Sequence, residues 1–326
     1  MKKLVAAAFA ASAMAAFAAA EKVEENNAKA EGAVEESKGA PIFWGFANYG
    51  IYSGYQLYGS IVNTEPTLQG YGELNANLPF EIGPLDDLGY FGGGVWCNSD
   101  LTGKRTSSYR RAFNEFDFNA HWGKTFWFDD DKTWGLAYRM SFVWYFYPHT
   151  GGKRDGLALW YAGDTTDVTR RRGTATTMDW NHYFEVVNPY LIPYLNVVHE
   201  YEQSNGNLLQ FGVKKPWQIT DELSVCPFIE FVWRNRNYNW CFSNYGKDPD
   251  YQKIDAGLGT MKLELDVTYM FTDWIGVFAK VAYCQNLDPN LREAANYVGS
   301  PRCSDGAAYG KWNEFCWGGF GVCVNF

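Results

Sequence analysis

The chain closes on KWNEFCWGGFGVCVNF, Lys311–Phe326, and in this stretch the even positions are largely apolar. Phe326, Val324, Val322, Phe320 and Cys316 share one face, while Asn325, Cys323, Gly321, Gly319 and Asn313 share the other. Side chains of a strand alternate between its two faces, so a period of two marks a strand whose faces meet different surroundings. The apolar face runs out to the terminal residue, and the chain is therefore expected to end inside a sheet.

The same alternation recurs upstream. Met261, Leu263, Leu265, Val267, Tyr269 and Phe271 alternate with Lys262, Glu264, Asp266 and Thr268. Trp134, Leu136, Tyr138, Met140, Phe142, Trp144 and Phe146 share one face, with Arg139 and Ser141 opposite. Phe116, Phe118, Ala120 and Trp122 alternate with Glu115, Asp117, Asn119 and His121, and Leu74, Ala76, Leu78 and Phe80 with Glu73, Asn75 and Asn77. About twelve such segments can be drawn, at 42–54, 66–80, 89–98, 112–128, 133–147, 178–188, 193–203, 207–216, 223–236, 258–271, 275–285 and 312–326. Every second connection is short (81–88, 129–132, 189–192, 217–222, 272–274) and four of their partners are much longer (99–111, 148–177, 237–257, 286–311). Segment 204–206 departs from that contrast. Alternating short turns and long loops between two-faced strands predict an all-β, transmembrane, antiparallel up-and-down barrel.

Composition agrees. Aromatic residues make up 18% of the chain, as 14 Trp, 22 Tyr and 23 Phe, yet mean hydropathy is −0.33. Strands with one face in lipid and one in water produce that combination. The formal net charge is −9, which argues against nucleic acid as a partner. The start, Met1-Lys2-Lys3 followed by an apolar run and Ala18-Ala19-Ala20, reads as a cleavable secretory leader over 1–20. Residues 21–41 read as a flexible acidic periplasmic tail and 42–326 as the barrel. The expected location is the outer membrane of a Gram-negative-type envelope. Outer-membrane lipid, small hydrophilic solutes and, through C-terminal Phe326, the barrel-assembly machinery are the expected partners.

These stretches carry a family resemblance. Tyr55–Gly59, Glu65-Pro66-Thr67-Leu68-Gln69-Gly70, Leu78-Pro79-Phe80, Gly89-Tyr90-Phe91-Gly92-Gly93-Gly94-Val95-Trp96 and Asn114-Glu115-Phe116-Asp117 resemble, in that order, the TorF-type porins of the outer membrane. The resemblance covers roughly the first third of the barrel. It implies a small-solute pore and carries no functional residue across.

Ionisable groups locate the candidate site. Opposite the apolar stripes lie Glu73, then Glu115, Asp117 and His121, then Arg139 and Glu185. Glu200, Glu202 and Lys214 follow, then Glu230, Arg234 and Arg236, and finally Lys262, Glu264, Asp266 and Lys280. A Lys or Arg facing hydrocarbon at the bilayer midplane costs on the order of 2–4 kcal/mol, so all of these are expected to point inward. Two readings follow: a narrow, water-filled channel with a charged lining, or a lumen closed by mutually satisfied ion pairs. The latter is a structural barrel whose outer loops bind a partner. Acidic residues concentrate in 112–128 and 193–203, and Arg234, Arg236, Lys262 and Lys280 lie on other strands, an arrangement that predicts a transverse field. Arg170-Arg171-Arg172, in the longest loop, would narrow the mouth if folded inward.

A third reading, a lipid hydrolase, turns on His182 and His199. Parity places both on the lipid side, opposite each other in a hairpin centred near Leu191, with Trp180 and Tyr201 as the next pair. Ser204 falls on the other face, so a nucleophile is missing and the pair is read as part of the aromatic girdle. Likewise Tyr201 is expected to pair with Phe211 through an odd-length turn. Gly92-Gly93-Gly94 lies within a strand, where glycine marks a bend or close approach. Asp129-Asp130-Asp131 reads as a turn because the alternating ligand spacing of a calcium loop is missing. No catalytic, cofactor or metal residue is therefore assigned. The seven cysteines show no CxxC spacing, and a Cys241–Cys303 bridge is one available pairing.

Overall fold

The computed structural model describes residues 43–57, 60–63, 66–78, 88–101, 115–147, 175–201, 205–242, 255–289 and 314–326. The stretches expected as leader and acidic tail, together with Glu202, Arg170–Arg172 and Cys303, fall outside them. The strands are β1 (Phe43–Tyr52), β2 (Tyr55–Leu57), β3 (Ser60–Asn63), β4 (Thr67–Asn77), β5 (Tyr90–Asp100), β6 (Glu115–Trp127), β7 (Gly135–Tyr147) and β8 (Ala175–Val187). They continue as β9 (Ile192–Glu200), β10 (Gly206–Lys214), β11 (Trp217–Gln218), β12 (Leu223–Arg234), β13 (Gly257–Met270), β14 (Ile275–Asn286) and β15 (Glu314–Asn325), with one short helix, α1 (Arg236–Phe242).

Antiparallel pairing runs from β1 through β4, β5, β6, β7, β8, β9 and β10 to β12, then through β13, β14 and β15 back to β1. The result is a closed twelve-strand antiparallel barrel. Closure satisfies every strand's hydrogen-bonding edges without water, which a spanning sheet requires. The seam is made by the last residue: Gly45 N donates to Phe326 O at 2.7 Å and Phe326 N to Gly45 O at 3.0 Å. β11 adds two rungs to β12 beside the ring, and β2 pairs with β3 in a separate hairpin between β1 and β4.

The tight connections explain themselves chemically. Four of them, the ones that the described residues cover, each carry an Asp, Asn or Thr whose side chain accepts from backbone N–H groups just ahead, the geometry that makes these residues turn formers. Asp129 Oδ1 accepts from Thr133 N and Trp134 N at 3.0 and 2.9 Å. Asn188 Oδ1 accepts from Tyr190 N and Leu191 N, and Thr220 and Thr272 act likewise for Leu223 N and Ile275 N. The acidic run at 129–131 is thus a turn, as its spacing indicates.

Outward positions carry Phe43, Leu74, Phe91, Phe118, Phe142, Trp144 and Phe320, all large, apolar and exposed. They form an apolar belt around the outside of the ring. The strand ends differ from expectation chiefly at β12, which stops at Arg234. Asn235 Oδ1 accepts from Tyr238 N at 2.9 Å, an N-cap that turns the chain into α1. Two hairpin registers also differ. His199 pairs with Trp180 and His182 with Val197, two residues away from the expected alignment. Phe211 pairs with Leu195 rather than Tyr201, although the connection is odd in length, as parity demanded.

Candidate functional site: the charged lumen

Inward orientation is established by contacts that skip strands. Arg139 on β7 meets Glu73 on β4 at 2.8 Å (Nη2 to Oε2), past β5 and β6. Lys214 on β10 meets Glu185 on β8 at 2.9 Å, past β9, and Tyr194 OH on β9 donates to Glu230 Oε2 on β12 at 2.8 Å, past β10. Side chains of non-adjacent strands meet this way only across the concave side of a curved sheet.

One cluster stitches β4 to β7. Glu73 accepts from Arg139, from Tyr71 OH and from Asn75 Nδ2 (2.9 Å), and its side chain is 2% exposed. Arg139 Nη2 also lies 3.0 Å from His121 Nδ1. Since Asn75 Nδ2 donates to Glu73, its Oδ1 accepts from His121 Nε2–H at 2.6 Å, and Nδ1 also lies 2.9 Å from Asn119 Oδ1. Glycine makes this bridge possible. A Cβ on Gly92 would stand 2.1 Å from Asn75 Oδ1 and 2.6 Å from His121 Nε2, and one on Gly94 would crowd Asn119 and Tyr71. The glycine run marks a close approach of side chains over β5.

The second cluster occupies the opposite wall. Lys262 Nζ lies 3.3 Å from Glu264 and 3.6 Å from Glu230, and 4.4 Å from the centroid of the Phe228 ring. Lys280 Nζ lies 3.1 Å from Glu264 and 3.3 Å from Asp266. These lysines are matched by carboxylates on their own and neighbouring strands, so the basic side of the expected transverse field is largely neutralised where it stands. Toward the turn end, a cavity of about 420 Å³ is bounded by Tyr183, Tyr194, Lys214, Phe228, Glu230 and Asp266.

The loop end is different. Glu115, Asp117, Asp179 and Glu200 line β6, β8 and β9 there, all less than 9% exposed. Two elements fold into this mouth. Tyr238 of α1 packs on inward-facing Val198, Leu208 and Val232, with its ring 6.0 Å from the Arg234 guanidinium. Gln56 of β2 accepts from Cys284 Sγ at 2.7 Å and Trp317 Nε1 at 3.3 Å.

The structure therefore brings Glu73, His121 and Arg139 together on one wall, and Glu230, Lys262, Glu264, Asp266 and Lys280 on the other. Glu185 and Lys214 form a pair between them, and Glu115, Asp117, Glu200 and Arg234 lie at the loop end. Arg236 is the exception: it is exposed on α1, beyond the end of β12, rather than on a barrel strand. Tyr71, Asn75, Asn119 and Tyr194 were not singled out from sequence, although their place on the polar face was readable. Inward Val198, Leu208 and Val232 break the polar alternation, and that break is the trace of α1 docking.

On the outer face, His182 Nδ1 lies 2.8 Å from Tyr138 OH and His199 Nδ1 2.8 Å from Asn207 Oδ1. Both rings join Trp180 and Tyr201 in an aromatic patch. Among the described residues no serine hydroxyl accompanies them; Ser204 lies outside those residues. The five described cysteines, Cys97, Cys226, Cys284, Cys316 and Cys323, are free thiols. The Cys241 side chain and Cys303 are not described. Groups of three or more His, Cys, Asp or Glu placed to hold a metal ion are absent among the described residues.

No family model matches the chain and no curated protein matches it, so the resemblance to TorF-type porins gains no support at the family level. Solved structures similar to it include porins and an outer membrane phospholipase. The KdgM porin is 6% identical with a TM-score of 0.40, over 86% of this chain and 99% of that one. The NanC porin is 11% identical with a TM-score of 0.41, over 86% and 100%. Outer membrane phospholipase A from Escherichia coli is 10% identical with a TM-score of 0.42, over 86% and 92%. The fold itself rests on the closed strand ladder.

Proposed function

We propose that the protein is a porin-like channel of the outer membrane, passing small hydrophilic solutes by diffusion along a charged lumen. One observation carries this reading: the inward ion pairs hug the wall. Of the pairs given above, the widest, Arg139 to Glu73, spans four consecutive strands of the twelve, and none of these pairs crosses the ring. A lumen filled by ion pairs would bridge opposite walls; wall-bound clusters leave a polar path. Twelve strands lie between eight, where side chains fill the interior, and sixteen, which leave a channel. The resemblance to TorF-type porins points the same way. Planar-bilayer recording of the purified, folded protein tests it, with discrete conductance steps expected. A bilayer that stays silent across the voltage range refutes the channel.

The second reading, a closed barrel whose outer loops bind a partner, draws on the inward folding of α1 and β2 at the loop end. The same recording separates the two. A phospholipid hydrolysis assay addresses the outer-face histidines independently, and hydrolysis lost in His199→Ala would favour an enzyme instead.

A further inference from the structure

We propose that the loop end of the lumen binds the ammonium group of a small organic amine, with Asp117 as its principal carboxylate. As a step in permeation this rests on the channel reading; as a binding site it does not.

The argument begins with the wall of β6, β8 and β9. Asp179 and Glu200 sit directly opposite each other in the β8–β9 ladder, a pairing of like charges that strands ordinarily avoid. Each has a donor: Tyr145 OH donates to Asp179 Oδ2 at 2.8 Å, and Thr177 Oγ1 donates to Glu200. Asp117 has neither advantage. It is 8% exposed, and its Oδ1 is fully buried with no hydrogen-bond partner among the described residues. The carboxylates nearest it electrostatically are Glu115 and Asp179, both of its own sign. Asn181, two residues along β8 on the same inward face and 8% exposed, likewise holds a buried Oδ1 without a partner. A buried carboxylate is retained only when paired or hydrogen-bonded, so the site awaits a group that brings charge and donors together.

On the β6–β8 wall the two unfilled positions, Asp117 Oδ1 and Asn181 Oδ1, are both acceptors. An ammonium group supplies three donors, a positive charge and no acceptor. A metal ion fits worse, because among the described residues the carboxylates are not gathered into a coordinating set. At this level the described residues oppose four carboxylates with one buried guanidinium, Arg234 on β12. Access agrees as well. Among the described residues, α1 covers the β9–β12 side of the mouth and β2 the β14–β15 side, and none of them covers the β4–β8 arc, on which Asp117 and Asp179 lie.

The test is calorimetric titration of the full, folded protein in detergent micelles at pH 7 and low salt, with 1,4-diaminobutane as the probe and 1,4-butanediol as its neutral counterpart. Saturable binding of the diamine alone is expected. The isosteric double variant Asp117→Asn/Asp179→Asn should bind at least about tenfold more weakly, and Asp117→Glu should stay within about threefold of the native protein. Heat-dependent gel mobility verifies that each variant is folded, and Asp117→Glu decides the matter if the double variant is not. Absence of diamine binding, equal binding of the diol, binding unchanged in the double variant, or displacement of the diamine by equimolar calcium would each overturn the proposal. Binding without any conductance in bilayers would remove the channel reading and leave this site standing.

Discussion

Arg139 and Glu73 meet at 2.8 Å although β5 and β6 separate their strands. Strands lie about 4.8 Å apart in a sheet, so the two backbones stand roughly 14 Å from each other along the wall. Only the curvature of a closed ring and the length of an arginine bring the two groups together. The carboxylate is almost fully buried, whereas the guanidinium keeps 29% of its side-chain exposure. The two partners should therefore respond unequally to deletion. Arg139→Met leaves a buried carboxylate held by Tyr71 and Asn75, with His121 Nε2 at 3.5 Å, and an expected cost of about 1–3 kcal/mol. Glu73→Gln leaves a guanidinium that retains lumen water and should cost less. Urea titrations of protein folded into lipid vesicles measure both. Equal midpoints for Arg139→Met and the native protein would mean that the pair holds nothing together.

Gly92 and Gly93 are neighbours in sequence with opposite roles. A methyl on Gly92 collides with Asn75 and His121, whereas on Gly93 it meets only the Asn119 carbonyl oxygen, at 3.0 Å. Gly92→Ala must part the 2.6 Å Asn75–His121 hydrogen bond and strand buried polar groups, at about 1–3 kcal/mol. Gly93→Ala, facing lipid, should cost much less. The same titration ranks them, and a larger loss at Gly93 would invert the assignment of faces.

Those faces were legible because alternation of period two is strong over spans of nine or more residues. All twelve barrel segments were drawn within a few residues of their observed ends. Parity has one blind spot, and the registers expose it. Sliding a strand by two residues keeps every side chain on its face, so the pattern cannot distinguish His199 opposite His182 from His199 opposite Trp180. The turn decides, through Asn188 and its bonds to Tyr190 N and Leu191 N. α1 was missed for a related reason: seven residues are too few to show a helical period, and its sequence follows directly on β12. Hence Arg236 was assigned to the polar face of a strand that ends at Arg234. Networks such as Tyr71–Glu73–Asn75–His121 depend on which strands lie side by side, information that no single strand carries.

The lipid face gives a prediction of direction. Phe142 and Ser141 occupy the middle of β7 and point to opposite sides; Phe142 is 44% exposed on the outer surface. Phe142→Arg places a guanidinium in hydrocarbon and should destabilise the folded barrel by about 2–4 kcal/mol. Ser141→Arg adds the same charge to a polar interior beside His121, and its cost should be smaller. Folding midpoints in vesicles of matched thickness supply the comparison. If the two variants are equally stable, that stretch of β7 does not face lipid.

The mouth supplies the last prediction. Tyr238 anchors α1 by packing on Val198, Leu208 and Val232, yet the helix contributes no rung to the ladder that closes the ring. Docking and barrel stability should therefore separate. Tyr238→Ser removes the anchoring ring and its cation–π contact with Arg234, an interaction of about 0.5–2 kcal/mol. It should free α1 while leaving the barrel's urea midpoint nearly unchanged. If α1 narrows the path, single-channel conductance rises in Tyr238→Ser and rises again when Gln56→Ala releases β2 from Cys284 and Trp317. Conductance that stays the same in the double variant, with α1 shown by proteolysis to be released, would place the narrowest point deeper, between the Glu73–Arg139 wall and the Lys262–Lys280 wall.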